Sequence, residues 1–270
     1  MRRIVNRRPQ PATAIVLAAL PFVLVAVAYA VGSQARLAAN PNDKLLPSLA
    51  SFATAMHDMA LVPDPRSGDY LFWIDTAASL LRLVAGVAAA ALIGFVLGIA
   101  IGLVPIVGAT LSAFVAVLSM IPPLAVLPIL FIVLGLGELS KVVLIVIGIA
   151  PFLVRDVAVR VGEIPAELLV KAQTLGASSW QIVTRIVGPM ILPRLIGAVR
   201  LSLGAAWLFL IAAEAIAATE GLGYRIFLVR RFLAMDVILP YVAWITLLAW
   251  LSDLALARLS RRVFAWAESR

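Results

Sequence analysis

The feature that most constrains this chain is a run of 55 consecutive residues, positions 83 to 137, without a charged side chain. A helix needs about 20 apolar residues to cross a bilayer, so the run is long enough for more than one crossing. Of all 270 residues, 63% are hydrophobic and 13% are charged, and the mean hydropathy is +1.08. These values exclude a single soluble domain and predict an all-α, polytopic membrane helix bundle.

Composition also excludes several kinds of chemical site. The chain has no cysteine and one histidine, His57, which excludes disulfides, thiolate metal sites and the usual imidazole metal clusters. We therefore expect no catalytic residue and no metal site. The net charge of +8 does not indicate nucleic acid, because the basic residues gather in groups typical of cytoplasmic membrane anchors. These groups are Arg2, Arg3, Arg7 and Arg8; Arg155, Arg160, Lys171, Arg185 and Arg194; and Arg258, Arg261, Arg262 and Arg270.

Hydropathy predicts six membrane-spanning helices. The first two are separated by a polar, turn-rich external segment, 32–76, with a short helix over 49–59. The third span is interrupted at Ile121-Pro122-Pro123, because prolines remove backbone donors and disfavour helical geometry in the residue before them. Six crossings place both termini and the segment 155–194 in the cytoplasm. The predicted spans are about 12–31, 77–104, 107–134, 140–154, 195–217 and 237–256.

The cytoplasmic segment between the fourth and fifth spans has the local signals of a helical hairpin. Pro165 suits the first turn of a helix, and Gly176 suits a left-handed C-terminal cap with positive φ. A second short helix begins at Ser178 or Ser179, whose hydroxyl can accept from backbone donors near Gln181. Its apolar side chains are too many for so small a hairpin to bury, which predicts a docking element. They are Leu168, Leu169, Leu175, Trp180 and Ile182.

This hairpin resembles the EAA loop of permease subunits of ATP-binding-cassette importers, in the nitrate, sulfonate, taurine and bicarbonate group. The run 174–178 reads Thr-Leu-Gly-Ala-Ser, as in that group, and further matches extend over about 75–260. Two positions depart, with Val170 where a Glu is usual and Gly188 where a Leu is usual. The residues on the motif's spacing are Ala172, Gly176, Ile186 and Pro189.

The resemblance implies a type I importer permease fold in the bacterial cytoplasmic (inner) membrane, spanning the lipid bilayer. It implies a second copy of the chain, two cytoplasmic ATPase subunits and an external solute-binding protein as partners. No glycine is followed by lysine, so the chain has no phosphate-cradling GxxxxGK[ST] loop, and ATP and magnesium would be bound by the ATPase. The expected ATPase-coupling residues are Glu167, Lys171, Ala172, Thr174, Leu175, Gly176, Ala177, Ser178, Trp180, Ile186 and Pro189.

The same resemblance divides the chain into three parts. Residues 1–74 comprise a cytoplasmic arm, the first span and the external loop. Residues 75–260 form the core permease domain, with the coupling loop at 160–190. Residues 261–270 form a basic cytoplasmic tail.

The resemblance implies a small polar solute, either a nitrate-, sulfonate-, taurine- or bicarbonate-like compound or a small nitrogenous organic compound. The expected translocation path for it consists of Met120, Pro122, Pro123 and Glu214. Alternatives stay open at two of these places. The prolines either kink a helix or leave unwound backbone beside a cavity, and Glu214 has either a structural partner or a place on the path. The rival function is an ion-gradient-driven carrier, which predicts two repeats with interrupted helices, whereas this sequence contains one interrupted helix.

Two charged side chains and one row of glycines carry further structural expectations. Arg82 is predicted to be an interfacial anchor, and Lys141 is predicted to snorkel outward to the external surface. The spacing of Gly94, Gly98 and Gly102 permits close helix contact, either inside the chain or between subunits.

Overall fold

The computed structural model describes residues 9–267 except 42 and 66, and this part of the chain is helical and without strands. The arginines at positions 2, 3, 7, 8 and 270 lie outside the described residues. A π-helical turn, Val183–Val187, joins α8 to α9, and a 3-10 turn, Ala265–Ala267, follows α11. The helices are α1 (Pro11–Ala39), α2 (Leu49–Leu61), α3 (Leu71–Leu103), α4 (Pro105–Leu118), α5 (Pro123–Leu134), α6 (Glu138–Gly162), α7 (Ala166–Thr174), α8 (Ser179–Ile182), α9 (Gly188–Ala217), α10 (Leu222–Arg230) and α11 (Met235–Val263).

Five helical elements are long and apolar enough to cross a membrane: α1, α3, α6, the continuous run through α8 and α9, and α11. The pair α4 and α5 passes the same test as a sixth element, although the two helices meet at 94°. The predicted all-α membrane bundle is therefore confirmed, with six crossings when the bent pair counts as one.

The helices beside the external segment extend further than hydropathy predicted. Helix α1 continues to Ala39 and α3 begins at Leu71, so the loop between them is shorter than the predicted 32–76. Polar residues such as Ser33 continue α1 because their side chains find partners, here the carbonyl oxygen of Leu46 at 2.9 Å. The short helix predicted inside the loop is confirmed as α2.

The core of the bundle is the contact between α3 and α6, which run parallel. A Cβ atom added to Gly98 would lie 2.5 Å from Cβ of Val157, so the two backbones approach as closely as glycine permits. The same contact recurs every four residues or a multiple of four, and it settles the glycine stripe as packing inside the chain. The pairs are Gly86–Ile145, Gly94–Leu153, Gly98–Val157 and Gly102–Val161.

The bend between α4 and α5 lies where the two prolines predicted an interruption. Helix α4 ends at Leu118 with Ser119 as its C-cap, and α5 starts with Pro122 as its N-cap and Pro123 in its first turn, where a missing N–H costs nothing. The 94° angle exceeds the kink of a continuous helix, so the backbone here is unwound, and its place beside a cavity stays a prediction. Four residues, 119–122, form the break.

Candidate functional site

The hairpin between α6 and α9 forms as the local signals predict. Helix α7 begins after Pro165, and the chain turns at Gly176, whose φ is +81°. Helix α8 has Ser178 as its N-cap, with Ser178 Oγ accepting from Gln181 N at 3.3 Å and Gln181 Oε1 accepting from Ser178 N at 2.8 Å. This reciprocal capping box fixes the corner and the direction of α8.

Two large apolar side chains are the most exposed of the hairpin. Leu175 is 87% exposed and Trp180 is 74% exposed, one on each side of the glycine corner. Of the other side chains predicted for this surface, Leu168 is exposed, Leu169 is half-buried, and Ile182 is buried in the main core, because α8 turns that face toward the bundle. The predicted apolar surface therefore lacks Ile182 and is most exposed at the tip.

The remaining predicted coupling residues divide between surface and core. Ala172 is buried beneath the corner, and its carbonyl accepts from Ala177 N at 3.0 Å. Thr174 Oγ1 donates to the carbonyl of Lys171 at 2.8 Å, which ends α7. The exposed members are Glu167, Lys171, Thr174, Gly176 and Ser178, and the half-buried ones are Ala177, Ile186 and Pro189.

The tip of the hairpin is connected to a spanning helix without a break. Helix α8 passes through the π-helical turn into α9, so 179–217 is one helical run. At Gly188 a Cβ atom would lie 3.0 Å from the carbonyl oxygen of Val183, which explains a glycine at this joint. π-turns inside α-helices occur mostly as single turns and frequently at functional sites.

The break between α4 and α5 is open to its surroundings. Met120 is 75% exposed, and Pro122 is also exposed, whereas Pro123 is half-buried. On α6, Arg155 Nη1 donates to Ser119 Oγ at 2.8 Å, directly at the break. The break thus places irregular backbone and a guanidinium group side by side.

Glu214 was expected on the translocation path, but in this conformation its side chain is fully buried. Arg82 Nη1 and Ser79 Oγ both donate to Glu214 Oε1 at 2.8 Å, and Gly223 N donates to Oε2 at 2.8 Å. The structural partner of the first alternative is therefore present, and α3 and α10 enclose the side chain. A place of Glu214 on the path stays a prediction.

The first amides of α10 are capped by side chains from other helices. Gly221 N donates to Asp75 Oδ1 at 2.8 Å, and Leu222 N donates to Ser79 Oγ at 2.9 Å. The φ of Gly221 is +122°, and a Cβ atom there would lie 2.6 Å from Cδ of Glu214. These contacts anchor α10 on α3 and α9, and they satisfy donors that a helix start leaves unpaired.

Seven charged side chains form one network around this anchor. Arg82 is buried and pairs with three carboxylates, so it is not the predicted interfacial anchor. Lys141 is buried with its Nζ 2.6 Å from Glu138 Oε1, so it does not snorkel outward. Each of the three bases is paired with at least one acid, as burial of charge requires. The buried or partly buried members are Asp75, Glu214, Arg82, Lys141 and Arg225, and the exposed ones are Glu138 and Glu220.

Sequence reasoning missed Asp75 and Ser79, which hydropathy left in the external loop or at the start of a span. The signal that could have found them is their spacing with Arg82, since intervals of four and three place three polar residues on one face of a helix. No cluster of His, Asp or Glu suited to a metal ion occurs among residues 9–41, 43–65 and 67–267.

Residues 78–265 match the family model described as "Binding-protein-dependent transport system inner membrane component". The taurine transport system permease protein TauC of Escherichia coli (strain K12) is 38% identical over 73% of this chain and 72% of its own length. The nitrate import permease protein NrtB of Synechocystis sp. is 31% identical over 67% and 66%. In fold, the chain is similar to a solved chain of the MetNI methionine transporter, with a TM-score of 0.58, 24% identity, and coverage of 71% and 97%.

Proposed function

This chain belongs to the family of binding-protein-dependent transport system inner membrane components, and we propose that it carries a small oxyanion inward. It is a membrane-spanning permease subunit of an ATP-binding-cassette importer. The proposal adds the solute class, the partner subunits and the orientation.

The proposal for an ATPase partner rests on the exposed side chains of Leu175 and Trp180. Two large apolar side chains held at the tip of a capped hairpin are costly to expose to water, and they suit a pocket on a partner. The partner is an ATPase subunit, because the chain itself contains no phosphate-binding loop. Each of two permease copies receives one ATPase subunit.

The continuous helix from α8 into α9 supports a mechanical role for this docking. From Trp180 to Glu214 the helix is about 50 Å long, at about 1.5 Å per residue. When ATP closes the ATPase pair, the docked tips move, and α9 rocks with them between inward-open and outward-open states. At its far end α9 holds α10 through Glu214, so the external surface moves as well.

The solute class rests on what the named relatives share. Taurine carries a sulfonate and nitrate is an oxyanion, so both solutes present negatively charged oxygens. We assign this chain a small solute with the same group, delivered by an external solute-binding protein. The chain lies in the bacterial cytoplasmic membrane with both termini inside, which agrees with the basic residues around the hairpin.

The partner proposal is tested by purifying an affinity-tagged chain from its own cells in mild detergent. A second polypeptide with a GxxxxGK[ST] motif should copurify and hydrolyse ATP, and the double variant L175A/W180A should lose it. Trp250, an exposed tryptophan on α11, supplies the control W250A, which should keep the ATPase. Retention of the ATPase by L175A/W180A would contradict docking at this tip.

The solute class is tested by growth. A strain without this chain should fail to grow on taurine or ethanesulfonate as sole sulfur source, or on nitrate as sole nitrogen source. Growth on sulfate with ammonium is the control and should be unchanged. Normal growth on all three oxyanions would refute the solute class and leave the family assignment intact.

A further inference from the structure

We propose that Arg155 is an oxyanion-binding residue on the translocation path, an inference that rests on the proposed function. The guanidinium of Arg155 lies on an exposed face of α6. Its hydrogen-bond partner is the neutral hydroxyl of Ser119, at the break between α4 and α5.

Arg155 lies within the spanning helix α6, which continues to Gly162, whereas hydropathy predicted Arg155 in the cytoplasmic segment 155–194. It lies 17 residues after Glu138, which corresponds to about 25 Å at about 1.5 Å per residue, against a hydrocarbon core of about 30 Å, so it is near the cytoplasmic edge of that core. An exposed charge at that depth is stable where it meets water or an opposite charge. The guanidinium donates to Ser119 at the break, next to the exposed Met120.

Two other arginines within the spanning helices are paired. Arg82 and Arg200 each form an ion pair with a carboxylate. Arg155 forms no ion pair in the part of the chain that the structure describes, and its Nη1 donates to Ser119 Oγ at 2.8 Å. Its positive charge is therefore available to a ligand.

The chemistry of the side chain selects the ligand. A guanidinium has five N–H donors in a plane, and sulfonate and nitrate oxygens accept two of them side by side. One donor is used by Ser119, which also fixes the orientation of the group. Phe152, one turn earlier, and Val159, one turn later, are both exposed beside it, and the neighbouring Asp156 pairs with Arg160. A small anion would therefore make one charged contact between exposed apolar side chains.

The test uses a thiol reagent that itself carries the ligand group. The chain has no cysteine, so M120C places a single thiol one residue from Ser119. In proteoliposomes of the purified complex, its reaction with 2-sulfonatoethyl methanethiosulfonate is compared with that of the trimethylammonium analogue. Each reagent transfers its alkylthio group to the thiolate and releases methanesulfinate. Wild-type Arg155 should favour the sulfonate reagent.

The variant R155Q should lower the ratio of the two rates about tenfold, since it removes a unit charge close to the thiol. R155K should keep most of the preference, and R258Q, an exposed arginine on α11, should keep all of it. I121C provides a second reporter thiol in case M120C disturbs folding. An equal ratio in wild type and R155Q for both reporters would overturn the proposal.

Two further measurements distinguish a transported solute from a lipid headgroup as the anion that Arg155 binds. Free ethanesulfonate should slow the sulfonate reagent at M120C, as expected for a solute site. A ratio that follows the phosphatidylglycerol content of the liposome and ignores ethanesulfonate would make Arg155 a lipid contact and overturn the proposal. Because these rates do not depend on transport, failure here is separate from failure of the growth test for the solute class.

Discussion

At the scale of single residues, Gly176 has the most specific requirement. Its φ of +81° lies in the left-handed region, where a β-branched side chain costs about 1–3 kcal/mol. We expect G176V to shift the capped start of α8 and to misplace Leu175 and Trp180. The variant should insert and fold, yet lose ATPase binding, measured as ATPase recovered per tagged chain.

Gly162 provides the control for this substitution. It is the last residue of α6, has no positive φ, and a Cβ atom there meets nothing within 4 Å. G162V should therefore keep the ATPase. If G176V also retained the ATPase and full coupled transport, the corner at Gly176 would not transmit the movement of the ATPase to the spanning helices.

Glu214 carries a second prediction at this scale. Replacing one member of a buried ion pair leaves the other uncompensated and costs about 3–5 kcal/mol, so E214Q should unfold at a clearly lower temperature. E163Q removes a carboxylate from the half-exposed pair with Arg160 at the end of α6, and its cost should stay below about 1 kcal/mol. Thermal unfolding in detergent measures both. A fully stable E214Q that fails to transport would return this residue to the pathway.

Residue roles were predictable where the cause is local. The positive φ of Gly176 and the cap at Ser178 depend on neighbours within three residues, and both predictions are confirmed. The burial of Glu214 and Ile182 depends on helices distant in sequence, and the expected exposure of Ile182 was wrong. Asp75 finds its partner Arg225 across 150 residues, a distance at which spacing carries no signal.

At the scale of elements, the contact between α3 and α6 depends on having no side chain at its glycines. The Cβ atom of a leucine at position 98 would lie 2.5 Å from Cβ of Val157, so the two helices would be forced apart. We expect G98L to cost about 1–3 kcal/mol or more and to lower the unfolding temperature. At Gly204 on α9 a Cβ atom meets nothing within 4 Å, so G204L should unfold like wild type.

Element boundaries show what hydropathy omits. The prolines predicted the break between α4 and α5, but the 94° bend follows from how both helices pack on α6. The helix ends beyond the apolar core, such as Ala39 on α1, were missed because polar side chains there are satisfied by contacts. Apolar length therefore predicts which elements exist, and tertiary contacts decide where they end.

At the scale of the whole molecule, the helix order and the position of the hairpin followed from the sequence, because bilayer thickness fixes the length of each span. The charge network was not predictable in this way, since its seven residues, from four helices and the loop before α10, meet only after packing. The orientation in the membrane stays a prediction, and it decides whether the hairpin can reach a cytoplasmic ATPase.

We predict that the hairpin is cytoplasmic and that the loop before α3 is external. The chain lacks cysteine, so a single thiol can be placed at an exposed serine on either side, with S67C in the loop and S179C at the start of α8. In intact cells a membrane-impermeant maleimide should label S67C and leave S179C unlabelled until the membrane is opened. S119C, at the break beside Arg155, is a control for partial access from within the membrane. The opposite labelling of S67C and S179C would invert the topology, and docking of an ATPase on the hairpin would then be impossible.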